Sequence, residues 1–212
     1  MNPNPFVPRG PVYSSKEEKR SQERRNDVRQ AQFVMYTAQN WGPNDRITPE
    51  LLLELQRLAV NQIYRCAGHF RDDRVTLDGA THTPPPQQDV LGLVNEMCSY
   101  GNERWETTTP IHLSAYAMWG MNWIHPFFGG NGRSSRAVSY LVLCAKLGFA
   151  LPGEKTIPEF IAEDRAPYYK ALREADAAYE GGKIDVTAME NLIASLLAKQ
   201  LVQVHKQAIG EK

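Results

Sequence analysis

The sequence predicts an all-α protein carrying one small β-hairpin. Two observations carry that prediction. Apolar residues recur at helical spacing in stretch after stretch, and Thr48-Pro49 and Thr109-Pro110 each pair a hydroxyl cap with proline in the first turn. Only over Arg74–Thr83, RVTLDGATHT, does the apolar period drop to two, around the tight-turn pair Asp78-Gly79. The 212 residues allow one sizeable core and do not require a second.

In chain order, residues 1–15 hold four prolines and no periodicity, and read as a flexible lead-in. Residues 16–47 read as an N-terminal helical extension. Its first half, SKEEKRSQERRNDVR, mixes charges of both signs and predicts a solvated helix, which runs into QAQFVMYTAQ and ends near Asn40–Pro43. The main domain spans 48–208. Leu51, Leu52, Leu55, Leu58, Ala59 and Ile63 place an apolar stripe on its first helix. The hairpin follows, closed by Pro84-Pro85-Pro86, and then a helix through Val90, Leu91, Val94, Met97 and Cys98. Further helices run from Thr109 to Ile124, through Ala137–Leu147 with Gly148 placed to end it, over Arg165–Ala178, and over Thr187–Ala208.

Composition excludes several classes. Lysine plus arginine equals aspartate plus glutamate, 24 each, so no nucleic-acid partner is indicated by a basic excess. No apolar run has the form of a signal peptide or reaches membrane-spanning length, so no membrane partner is expected. Cys66, Cys98 and Cys144 lie in apolar helical patterns without metal-ligand spacing, which reads as buried thiols in a reducing, cytoplasmic setting. Delivery through a secretion system that cleaves no leader would leave the same pattern.

The stretch IHPFFGGNGRSSR, Ile124–Arg136, concentrates specialised residues between two helices. Pro126 disfavours helical geometry at His125, so the preceding helix should stop there. Gly129, Gly130 and Gly132 permit backbone turns that point successive N–H groups inward, and a helix starting near Gly132 adds its positive end. Arg133 and Arg136, three residues apart, can both face the anion that such a nest attracts. His125, at the other end, is placed to take a proton from an attacking hydroxyl. Connectors with glycine are common and single histidines are more often structural than catalytic. A connector, however, needs none of the His-Pro-Phe, the asparagine or the paired arginines.

HPFFGGNGRSSR resembles the Fic-family signature H-P-F-x-[D/E]-G-N-G-R-x-x-R and matches eight of its nine specified positions. AGHFR (Ala67–Arg71), the hairpin with PPP after it, and APYYKALREAD are also similar to the family's pattern, so the resemblance covers about residues 48–200. It implies a Fic-type helical domain that transfers AMP from ATP to a Ser, Thr or Tyr hydroxyl of a target protein. His125 would be the general base. Gly130, Asn131 and Gly132 would hold the α-phosphate, Arg133 and Arg136 the distal phosphates, and Phe127 would anchor the loop. The hairpin, Val75, Thr76, Leu77, Asp78 and Gly79, would be the flap that docks the target's backbone by strand addition.

Two departures matter. The motif acid that coordinates Mg²⁺ is Gly129 here, which has no ligand atom, so Mg²⁺ would be weakly held and transfer reduced. Restoring the acid with Gly129→Glu should then raise transfer. The family's inhibitory segment, [S/T]-x-x-x-E-[G/N], has only chance-level counterparts at Ser14–Lys19 and Thr187–Asn191, which leaves inhibition by a separate protein open. Two alternatives accompany the transferase reading: a catalytically silent nucleotide-binding or interaction protein, and a transferase of another phosphate-containing group such as UMP or phosphocholine. His82 is expected to be a solvated turn residue, and His69 and His112 to support helix ends. Asp72-Asp73 and Glu163-Asp164 are expected to be surface acids, and Trp119 and Trp123 to pack in the core.

Overall fold

The computed structural model describes residues 11–77 and 82–210. Among them the helices are α1 (Lys16–Gln39), α2 (Pro49–Val60), α3 (Val90–Glu103), α4 (Pro110–Ile124), α5 (Asn131–Leu147), α6 (Ile157–Glu163), α7 (Ala166–Glu180) and α8 (Thr187–Ala208). A 3-10 turn, Gln87–Asp89, leads into α3.

The helix starts follow their caps. Thr48 Oγ1 accepts from Leu51 N at 3.2 Å, and Thr109 Oγ1 from His112 N at 3.1 Å. Ser15 Oγ caps α1 by accepting from Glu18 N at 3.1 Å. Helix α6, which no periodicity announced, rests on a reciprocal capping box between Thr156 and Glu159.

Helices α4 and α5 form the centre because they are apolar or small on nearly every face. Leu113, Met118, Met121, Val138, Leu141, Leu143 and Cys144 are all buried. Helices α1 and α2 cover α5 on one side, α3, α7 and α8 cover α4, and α6 closes against α5 and α8. All three cysteines are buried thiols. No helix among the described residues is long and apolar enough to cross a membrane.

One expectation needs correction. Helix α1 is not simply solvated. Gln22, Asn26, Gln30, Val34 and Ala38, each four residues apart, are buried along one face. The amides take the place of apolar side chains: Asn26 Nδ2 donates to Asn61 O at 2.8 Å and Gln30 Nε2 to Leu55 O at 2.7 Å, both on or beside α2. The hairpin expected over Arg74–Thr83 falls in part outside the described residues. Its turn residues Asp78 and Gly79 lie outside the described residues. Val75, Thr76 and Leu77 are irregular, and the β pairing among described residues is one isolated bridge, Pro11 to Tyr64. Arg71 holds the base of the segment: its Nη1 donates to Asp73 O at 3.0 Å and its Nη2 to Pro85 O at 2.5 Å. The three prolines that follow have no N–H to offer a strand.

Candidate functional site: the loop between α4 and α5

Helix α4 ends as Pro126 requires, with His125 capping it in the left-handed region (φ 49°, ψ 58°). Few non-glycine residues adopt this conformation, and it turns the chain sharply out of the helix. Arg71 holds the turn in place. Its Nε donates to His125 O at 2.8 Å and its Nη2 to Ile124 O at 3.3 Å, while its backbone N–H donates to Pro126 O at 2.8 Å. A buried guanidinium thus satisfies the last carbonyls of α4 and sits at the helix's negative end.

Next, Phe127 is fully buried and stacks on Phe70, ring centroids 5.5 Å apart. Asn131 staples the loop across its base, accepting from Phe127 N at 3.0 Å and donating to Phe127 O at 2.7 Å. Gly130 has φ 84°, and a Cβ there would fall 2.6 Å from Val60 Cγ1, so only glycine fits. Gln56, fully buried on α2, donates to Gly129 O at 3.0 Å and accepts from Gly68 N at 2.6 Å. The loop is therefore fixed by three side chains from outside it or at its edge: Arg71, Gln56 and Asn131.

The loop borders a cavity of about 600 Å³. His125, Gly130, Gly132, Arg133 and Arg136 line it, joined from the α7 side by Arg165 and Arg173; Asp176 is the one acid in the lining. Burial pulls the His125 imidazole down to about 4, partly opposed by a backbone hydrogen bond to Asn122, so the ring is neutral at pH 7. Desolvation also lowers Arg136, and among the described residues that guanidinium has no ion pair or hydrogen bond. Arg133 Nη2 lies 3.6 Å from Glu23 Oε1 on α1, while its Nη1 is buried without a partner. Desolvated cations with unmet donors make a receptor for a multivalent anion.

The predicted residues meet here with some changes of role. His125, Gly130, Gly132, Arg133 and Arg136 share the cavity, and Thr76 and Leu77 reach it too. Asn131 is buried, with both ends of its amide on the Phe127 backbone, and α5 starts at Asn131 itself. His82 is not solvated: its Nε2 pairs with Trp123 O at 2.7 Å, and it lines the same cavity. His112 pairs with an acid after all, Glu190 of α8, Nδ1 to Oε1 at 2.5 Å. That contact and the Ser14–Glu18 bonds at the start of α1 occupy the glutamates of both inhibitory-segment near-matches. Arg71, Gln56, Arg165, Arg173 and Asp176 were not foreseen as site residues. For Arg71 a signal existed, the AGHFR stretch.

The sequence profile of the Fic/DOC family matches residues 46–143, the segment from α2 to most of α5 that carries this loop. The chain belongs to the Fic/DOC family. Protein adenylyltransferase Fic of Drosophila persimilis is 31% identical over 157 residues, 73% of this chain and 28% of that protein. A Fido domain-containing protein of Dictyostelium discoideum is 37% identical over 98 residues, 46% of this chain and 62% of that protein. The chain thus spans little more than a quarter of the Drosophila relative. Among solved structures, a Fic domain containing signaling protein from Bacteroides thetaiotaomicron aligns with a TM-score of 0.76 at 21% identity, covering 94% of this chain and 76% of that one. A fragment of Caenorhabditis elegans Fic-1 gives 0.72 at 22%, covering 93% and 54%. These two likenesses establish the fold.

Within this Fic domain the position of the motif acid is occupied in an unexpected way. A Cβ at Gly129 would fall 2.9 Å from Tyr64 Cε2 and 3.2 Å from Cδ2. Tyr64, beside the Ala59–Val60–Ile63 cluster, therefore fills the space into which an acid would project. Gly129→Glu would press on the edge of that half-buried ring, which has to shift to admit the new side chain. Among the described residues no group of three His, Cys, Asp or Glu side chains converges as metal ligands. Asp176, the one acid in the cavity lining, accepts from Trp119 Nε1 at 2.9 Å, and burial raises its pKa. These residues do not fit a resident Mg²⁺.

Proposed function

We propose that this domain is a Fic-type protein adenylyltransferase that moves AMP from ATP to a Ser, Thr or Tyr hydroxyl of a target protein. The observation that carries the proposal is a neutral, desolvated His125 sharing one cavity with the unpartnered guanidinium of Arg136. His125 accepts the hydroxyl proton as the hydroxyl oxygen bonds to the α-phosphorus. The bond from that phosphorus to the bridging oxygen breaks, and pyrophosphate leaves with its charge against Arg133 and Arg136. The backbone N–H groups around Gly130 and Gly132 face the α-phosphate, and Asn131 keeps them in position. As polyphosphate enters, its negative charge raises the His125 pKa toward the working range of a general base. Thr76 and Leu77, on the chain leading into the segment 78–81, border the cavity where the target hydroxyl would arrive. The compartment proposed is the cytoplasm, where the buried thiols stay reduced.

Incubation with ATP followed by intact-mass measurement tests this. An AMP-sized adduct on the native chain, absent from His125→Ala at unchanged folded content, is the expected result. No adduct on the native chain or on a hydroxyl-bearing target would sink the transferase reading. The Tyr64 ring over Gly129 favours one second reading, a Fic domain that binds nucleotide without transferring it. A panel of UTP and CDP-choline in the same assay separates a different donor from no donor.

A further inference from the structure

Resting on the reading of this cavity as a phosphate site, we propose that it binds its donor's polyphosphate without a bound metal ion, Arg165 and Arg173 supplying the positive charge. Three observations converge on this. The position from which a loop acid would hold a cation is glycine, and the space beyond it is filled by Tyr64. The cavity lining carries four arginines, 133, 136, 165 and 173, against the single acid Asp176. Two of these arginines come from the motif helix α5, and two from a different element.

Arg165 is the N-cap of α7, and Tyr168, Tyr169, Leu172, Arg173 and Asp176 follow it at three- and four-residue intervals, so one face of α7 is turned to the cavity. Arg165 and Arg173 are exposed, and among the described residues neither guanidinium is held in an ion pair or hydrogen bond. They stand two turns apart on this wall, opposite the loop whose own arginines already face the cavity. Guanidinium groups bind phosphate oxygens in pairs and need no carboxylate to hold them. A polyphosphate lying between α5 and α7 would meet cations on both sides. The net charge that an Mg²⁺ would neutralise is offset by protein groups instead.

The two elements also divide the work sensibly. Arg133 and Arg136 are partly buried and fixed on the first turn of α5, which sets the phosphate's register against His125. Arg165 and Arg173 are on the rim and long-reaching, which suits the distal end of the chain of phosphates, where the negative charge is greatest.

Calorimetry with inorganic tripolyphosphate as the probe tests this on the native chain, in EDTA and in millimolar Mg²⁺. The expected result is binding in EDTA that Mg²⁺ leaves unchanged or weakens, since the chelated anion presents less charge to the arginines. Arg165→Gln and Arg173→Gln, both at exposed positions, should each weaken the EDTA affinity by about tenfold, the loss of one charge-assisted bidentate contact. Affinity about tenfold stronger in Mg²⁺ than in EDTA would overturn the inference, as would two substitutions without effect. If the native chain binds tripolyphosphate in EDTA but forms no AMP adduct, the transferase reading falls and the metal-free site stands. An adduct combined with Mg²⁺-dependent binding gives the converse. No binding in either buffer removes both.

Discussion

His125 joins a left-handed backbone to a desolvated ring, and each has a measurable effect. Its pKa in the folded chain, about 4, lies below the ordinary 6.5, so the unfolded chain takes up the proton first. The stability this histidine contributes is present above about pH 6.5 and is lost as pH falls toward 4. For activity the sign is the same. For the proposed transfer, the unliganded protein keeps His125 in its base form well below pH 6.5, so the acid limb of kcat/KM should lie nearer 4 than 6.5. The limb of kcat itself should stand higher, because bound phosphate favours the protonated ring. A kcat/KM limb at the ordinary histidine value would show that the imidazole is solvated in the working enzyme.

At the scale of elements, the loop between α4 and α5 is an ordered connection whose geometry is imposed by its neighbours. Gln56 matters most among them, since one buried amide serves both Gly129 O and Gly68 N. Gln56→Ala leaves a buried acceptor and a buried donor unmet, and should destabilise the fold by about 2 kcal/mol. Thermal or urea denaturation reads that loss. Gln56→Glu keeps the acceptor for Gly68 N and removes the donor to Gly129, so it should lower transfer more than it lowers stability. If Gln56→Ala melts like the native chain, the loop does not depend on α2 as described.

Over the whole molecule, α1 turns out to belong to the site. Glu23 reaches Arg133, and Asp27, its carboxyl pushed up by burial, faces a second cavity of about 530 Å³ that shares Arg133, Arg136 and Arg165 with the first. An acid on α1 therefore competes with phosphate for the same guanidinium. Glu23→Gln should strengthen tripolyphosphate binding by about threefold, a modest gain because the pair is partly exposed. Unchanged affinity would mean that Glu23 swings away at no cost when the anion enters. The sequence was legible where one residue's chemistry defines its role, as in the caps at Thr48 and Thr109, the proline after His125, the glycine at 130 and the arginine pair. It was not legible where the role depends on a partner distant in the chain. Gln56 binds a backbone carbonyl and a backbone N–H, which no side-chain pattern announces; AGHFR marked the stretch around Arg71 but not its carbonyl partners, and Tyr64 meets Gly129 only after folding. The polar face of α1 hid for a related reason: Gln22, Asn26 and Gln30 are buried without being apolar, so hydrophobic periodicity passed over them.

That polar face makes α1 a helix of two unlike halves. From Val34 onward it is anchored by packing into the main core, whereas residues 16–30 are held by amide bonds to carbonyls of α2 and by Glu23. These amides are buried, so each bond to an α2 carbonyl is costly to leave unmade. The stretch of α1 that brings Glu23 to Arg133 thus owes its place to hydrophilic contacts, unlike the rest of the helix.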